Sequence, residues 1–228
     1  MITLRVQARM CEPIAYYGDG IHLDGILGIG AIRALPEAER RALPPLIGDE
    51  KPRDFDLPLA RVDCGPDAPW IWAASAERAD WVQAGILERR RRGIEDDLAR
   101  WSTVDRIEVK SGRFKPWDLR YPTLTARVLE WRAVGDPDGV RHLLGFVQSI
   151  GKHASAGSGR VAEWSVEPVE GDESLMVGGV AARNLPKALA RRLGASGVAK
   201  VASVRVPYWH HSRRCECVCP MPPDVGHG

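Results

Sequence analysis

The stretch Ile150-Gly151-Lys152-His153-Ala154-Ser155-Ala156-Gly157-Ser158-Gly159-Arg160-Val161 leaves the backbone around it few options. Upstream, Val140, Leu143, Leu144, Val147 and Ile150 recur at helical spacing. They follow Asp136-Pro137, a capping side chain and then a residue suited to the first helical position. Downstream, residues 161–168 alternate as a strand does, with Ala162, Trp164 and Val166 on one side and Val161, Glu163, Ser165 and Glu167 on the other. The chain therefore runs from helix through a glycine-rich loop into strand, and Gly151 is expected to stop the helix. Glycine reaches positive φ and lets a ligand approach the backbone closely. The loop's N–H groups, with Lys152 and Arg160, favour an anion, and in a polymer that anion is a phosphodiester. A dinucleotide fingerprint runs in the reverse order, and G-x-x-x-x-G-K-[ST] does not occur, so those loop classes are excluded. The alternative is a turn whose glycines only close a tight connection.

Residues 2–10 alternate through Ile2, Leu4, Val6, Ala8 and Met10 as a half-buried strand. Residues 22–32 read as a helix with Leu23, Ile26, Leu27 and Gly30 on one side, and its glycines call for close backbone packing against something. Residues 36–56 are rich in Pro, Arg, Asp and Glu, like an insertion or connection. Further strands are expected near 57–64, 70–74, 105–109, 123–134, 175–180 and 200–207, and the tail from Met221 to Gly228 is expected to be disordered. Two helices separated by β-rich sequence favour an α+β domain with helices on one face of an antiparallel sheet. The ferredoxin-like (RRM-like) β-α-β-β-α-β order fits if the middle of the chain is an elaboration.

A net charge of only +2 means that any nucleic-acid surface must be local, with acidic residues segregated elsewhere. No apolar run is long enough to span a bilayer, and the N-terminus reads as a strand rather than a signal peptide, so a cytoplasmic location is expected. Five cysteines, an odd number, argue against a disulfide framework. Eight tryptophans against three phenylalanines suit a core, a stacked base or a partner.

Two segments together carry a resemblance. His22-Leu23-Asp24-Gly25-Ile26-Leu27, and Asp136 through Leu143-Leu144, Ile150-Gly151-Lys152-His153 and Gly157-Ser158-Gly159-Arg160-Val161, resemble the repeat-associated RNA-binding superfamily of CRISPR systems. Within it the chain looks most like the type IV subunit equivalent to the handle-clamping subunit of Cascade complexes. Val206-Pro207-Tyr208-Trp209 and the basic, Cys-containing segment after it add to the match. The resemblance covers residues 1–35 and about 105–220, and implies one ferredoxin-like domain over 1–220 with an insertion at about 36–104. It implies a subunit that binds the 5′ handle of the CRISPR RNA and caps a filament of backbone subunits. Such a subunit contacts the large or small subunit, meets target nucleic acid through the complex, and needs no metal and no nucleotide cofactor.

On this reading Lys152, His153, Ser155, Gly157, Gly159 and Arg160 are candidate RNA contacts, holding phosphate and sugar without reading sequence. Arg89, Arg90, Arg91 and Arg92 form the densest positive charge in the chain, either an RNA-backbone contact or a solvated face. Arg113, Lys115, Trp117 and Arg120 mix cations with an aromatic, as a hairpin gripping a single strand would; the alternative is an exposed hairpin with one aromatic anchor. His22 and His153 raise metal-independent cleavage of the repeat RNA, which needs a base within reach of a 2′-hydroxyl. His22 could equally cap its helix or pack at its start. Cys215, Cys217 and Cys219 share one strand face, and with His210 and His211 suggest zinc, but C-x-C-x-C on a flat strand is poor tetrahedral geometry and buried reduced thiols are favoured. The leading expectation is a non-catalytic RNA-binding subunit. The alternatives are an endoribonuclease of the same superfamily and a structural subunit making only protein contacts.

Overall fold

The computed structural model describes residues 1–16, 20–43, 52–66, 68–91, 115–154 and 157–222. Arg92, Arg113, Ser155, the strand expected at 105–109 and the tail from 223 onward lie outside the described residues. Strand β1 (Ile2–Met10), β2 (Ile14–Ala15), helix α1 (Leu23–Ala34) and α2 (Glu37–Arg41) open the chain. Short strands β3 (Arg61–Val62) and β4 (Ile71–Trp72) precede a long pair, β5 (Trp81–Arg91) and β6 (Trp117–Ala126). Next come β7 (Val128–Gly135), α3 (Pro137–Leu144) and β8 (Val161–Pro168). The chain closes with β9 (Met176–Val177), β10 (Val180–Ala181), β11 (Leu185–Pro186), α4 (Lys187–Leu193), β12 (Val198–Ser203) and β13 (Arg214–Cys219). The result is an α+β protein of several small antiparallel sheets.

The central sheet has the order β7-β1-β8, antiparallel throughout. Alternation along β1 buries Leu4, Val6 and Ala8, whose partners on β7 are Ala133, Trp131 and Leu129. That face meets Leu23, Ile26 and Leu27 of α1 and Val140 and Leu144 of α3 in one apolar cluster. The opposite face is a mosaic of paired charges: Arg5–Glu167 at 2.5 Å, Arg9–Glu163 at 3.2 Å, Arg132–Glu130 at 3.0 Å, with Gln7 donating to Glu130 at 2.9 Å. Beyond β7, the segment from Leu59 to Arg78 is tied to the sheet by isolated bridges, Leu59 to Gly135, Ala74 to Ala133 and Arg78 to Glu130.

The α1 glycines mark close approaches. A Cβ at Gly25 would meet the Tyr208 ring at 3.4 Å, one at Gly28 would meet Val206 at 2.9 Å, and one at Gly30 would collide with the Leu143 carbonyl. Asp136 caps α3 by accepting from the Gly139 N–H at 2.9 Å. That helix ends at Leu144, not at Gly151 as the apolar spacing suggested. Phe146 and Val147 N–H groups close a tight turn on Leu143 and Leu144, and Ile150 then donates to the Gly159 carbonyl. Val147 and Ile150 keep the spacing because they still face the core, each 2% exposed. In β8 an irregular register sets Glu163 opposite Arg9 but Val161 opposite Met10. This bulge turns Val161 to the core side, against its expected place beside Glu163.

The expected strand at 123–134 is two strands, β6 and β7, and those near 57–64 and 70–74 shrink to the pair β3–β4. A second apolar cluster lies under the β11-β13-β12 sheet, around Ile71, Leu185, Leu189, Val204, Cys217 and Cys219. Arg183 joins the parts of the molecule from a fully buried position. It donates to the Trp72 carbonyl, to Ala74 at 2.8 Å, to Val204 at 2.5 Å and to the Tyr208 hydroxyl at 3.2 Å, and sits 3.8 Å from Asp24 on α1.

Candidate functional site

The glycine-rich loop is held at both feet. Ser149 and Arg160 bridge across its neck, and Val161 donates to the Gln148 carbonyl at 2.9 Å. Gly159, at φ +66°, lies so close to Ile150 that a Cβ would strike the Ile150 carbonyl. Ser158, 5% exposed, accepts from the Ala15 N–H at 2.9 Å and donates to the Pro13 carbonyl at 3.1 Å. Its hydroxyl thus latches the loop to β2. The inner residues of the loop contact protein, while Lys152, Gly157 and Arg160 are exposed. His153 takes the uncommon φ of +61° for a side-chain-bearing residue, a conformation that costs about 1–3 kcal/mol and persists only when its surroundings hold it. Here its ring packs on Tyr121 of β6, centroids 3.8 Å apart.

That contact joins the loop to the β5–β6 hairpin. Ile14 of β2 pairs with Leu124 of β6, and Ala15 bridges to Lys152, so loop, β2 and hairpin form one continuous surface. Along the hairpin, Glu88 stands opposite Arg120, Arg89 opposite Leu119, Arg90 opposite Asp118, and Arg91 opposite Trp117. Arg90 pairs with Glu88 at 3.0 Å and Asp118 at 3.1 Å, and Arg120 with Glu88 at 3.2 Å. The positive run is therefore partly neutralised by its own cross-strand partners. Lys115 and Trp117 are exposed at the outer end of β6.

The two histidines stand in different surroundings. His22 is 4% exposed, stacked on Tyr208 at 4.6 Å with rings 7° apart, and its side chain makes no cap hydrogen bond to α1. It packs at the start of the helix. His153 lies on the outer loop against Tyr121. Asp24, in the first turn of α1, accepts from the Tyr208 hydroxyl at 2.7 Å, and burial holds its carboxyl above the usual range despite Arg183 beside it.

On β13, Cys215 and Cys217 sulfurs lie 3.5 Å apart, and all five cysteines are free thiols. Burial raises the Cys64 thiol to about 11, whereas the hydrogen bond from Cys217 lowers Cys215. His210 turns to Ser212, its Nδ1 2.8 Å from the hydroxyl, and among the described residues no group of three or more His, Cys, Asp or Glu is placed to hold a metal ion.

The structure thus links the loop that carries Lys152, His153, Gly157, Gly159 and Arg160 to the β5–β6 hairpin through the His153–Tyr121 contact and β2, while Arg89, Arg90, Trp117 and Arg120 lie farther along that hairpin, Lys115 just before it, and His22 is buried. Tyr121 and Ser158 were not among the residues singled out by pattern. Tyr121 follows from the alternation of 117–126 once the hairpin register is known, and Ser158 from its place between two glycines. A family model for the CRISPR type IV associated protein Csf3 matches residues 77–220, more than half of the chain. No curated protein matches it.

Proposed function

The chain belongs to the Csf3 family of CRISPR type IV associated proteins, and from that premise we propose a non-catalytic RNA-binding subunit of a type IV effector complex that clamps the 5′ handle of the CRISPR RNA. The observation that carries this reading is the union of loop and hairpin through β2. Lys152 and Arg160 are exposed on the loop, and Lys115 and Trp117 are exposed at the outer end of the hairpin, residue types that suit phosphates with a base stacked beside them.

The open face of the central sheet, where an RRM-like domain would offer aromatics, instead carries the Arg5, Arg9 and Arg132 ion pairs. Phosphates have little to gain there. The β7-β1-β8 order with α1 and α3 against one face, and the bridged segment beyond β7, support a ferredoxin-like core. Exposed Val82, Ile86 and Trp209 suit contacts with backbone and large or small subunits, through which target nucleic acid is met. Burial of His22 supports binding without cleavage, since a general base must reach its hydroxyl.

The test incubates the purified chain in EDTA with labelled repeat RNA and a shuffled control on native and denaturing gels. A shift of intact repeat RNA beyond the control is expected. Discrete cleavage would instead favour an endoribonuclease and make His153 the first variant. Binding of neither RNA would leave only protein contacts within an assembly.

A further inference from the structure

A cavity of about 520 Å³ opens beside the loop–hairpin surface, between β2, the segment leading into β5 and the end of β13. Tyr16 and Trp81 wall one side, ring centroids 5.6 Å apart and tilted by 60°. Glu77 lies behind them, accepting from the Ile21 N–H and the Tyr16 hydroxyl, and its burial keeps the carboxyl above the ordinary range. Lys200 and Arg78 place positive charge on the lining, Arg78 being paired with Glu173 at 2.8 Å.

Asn184 also lines the cavity and is 3% exposed. Its Nδ2 donates to the Ser203 carbonyl at 2.9 Å, which fixes the amide orientation. Its Oδ1 is buried with no hydrogen-bond partner among the described residues. A buried acceptor of this kind calls for a donor.

We propose that this cavity receives one unstacked nucleotide of the bound RNA. The base lies against Trp81 and Tyr16 and offers an N–H edge to Asn184, with its phosphate near Lys200 and Arg78. Aromatic planes are the usual platform for an unstacked base, and the volume falls within the range of small-ligand sites. The inference rests on the RNA-binding reading and names the part of that surface that would hold a base rather than the backbone.

The experiment uses the full chain and repeat RNA carrying 2-aminopurine at successive handle positions. Filter binding gives total affinity, and fluorescence reports the stacking of each position. One position is expected to change emission sharply on binding. Trp81→Ala should erase that change and weaken RNA binding about tenfold. Lys200→Glu, a change at an exposed residue, should do the same and stands in if Trp81→Ala does not fold. RNA that binds with no responding position, or with a response that survives both variants, overturns the pocket and leaves the clamp standing. Failure to bind RNA at all overturns both.

Discussion

Replacing Lys152 and Arg160 together by Ala tests the electrostatics of the loop. Among the described cations of the proposed surface, Lys115, Lys152 and Arg160 are exposed and lie outside the hairpin's ion pairs with Glu88 and Asp118. Arg90 and Arg120 are each offset by Glu88 or Asp118 at 3.0–3.2 Å, so they release few counterions on binding. For single-stranded RNA the slope of log K against log salt is about −0.7 per neutralised phosphate, which gives about −2 for three contacts and about −0.7 once two are removed. Between 50 and 200 mM salt, affinity should then fall about 20-fold for the unaltered chain and about 3-fold for the double variant. The assay is a filter-binding titration over that range, with far-UV circular dichroism to show that the variant is folded. Arg5→Ala/Arg9→Ala, on the ion-paired sheet face, is the control and should keep the full slope. A folded double variant with an unchanged slope would refute the assignment of the loop.

Gly159→Ala sets a Cβ against the Ile150 carbonyl at positive φ and should cost about 2 kcal/mol or more, while Gly157→Ala, in open space, should cost only about 1 kcal/mol for its left-handed backbone; urea midpoints compare them. Arg183→Met leaves Asp24 buried beside no cation and three carbonyls without their donor, and should lose about 3–5 kcal/mol in the same assay. Glu77 has its carboxyl pKa raised by burial above the ordinary 4.5, so the folded state binds its proton more tightly than the unfolded chain. Stability should therefore fall as pH rises from 4.5 through the raised value, and Glu77→Gln should flatten that part of the melting-temperature profile.

The periodic segments were legible in the sequence. β1, the start of α3 and most of β8 follow from alternation and capping, because one face of each is buried and the other is wet. The end of α3 was not legible, since Val147 and Ile150 face the core after the helix has stopped and give the same spacing. Nor was the muting of the arginine run. Glu88 and Arg90 meet Arg120 and Asp118 only through the hairpin register, which local sequence does not specify. His22 and Tyr208 are likewise brought together only by the packing of the 206–208 segment on α1. The glycines of the loop announced a turn, and Ser158 and Gly159 hold it, while Lys152 and Arg160 stay exposed outside it.

The mosaic of ion pairs across the open face of the β7-β1-β8 sheet bears on how the molecule meets a polyanion at a distance. Each arginine there has its carboxylate within a few ångströms, so their fields cancel over a length shorter than the roughly 8 Å reach of electrostatics at physiological salt. On the proposed RNA-binding reading, cations away from that face, such as the exposed Arg160 of the loop and Lys115 at the hairpin, act farther out and would turn their side toward an approaching RNA. The broad face is electrically quiet, so wrong encounters are not held. On that reading the neutral sheet would shorten the search for the productive orientation, and reversing one partner of a sheet pair, as in Glu163→Lys, should add a competing pole and slow productive association.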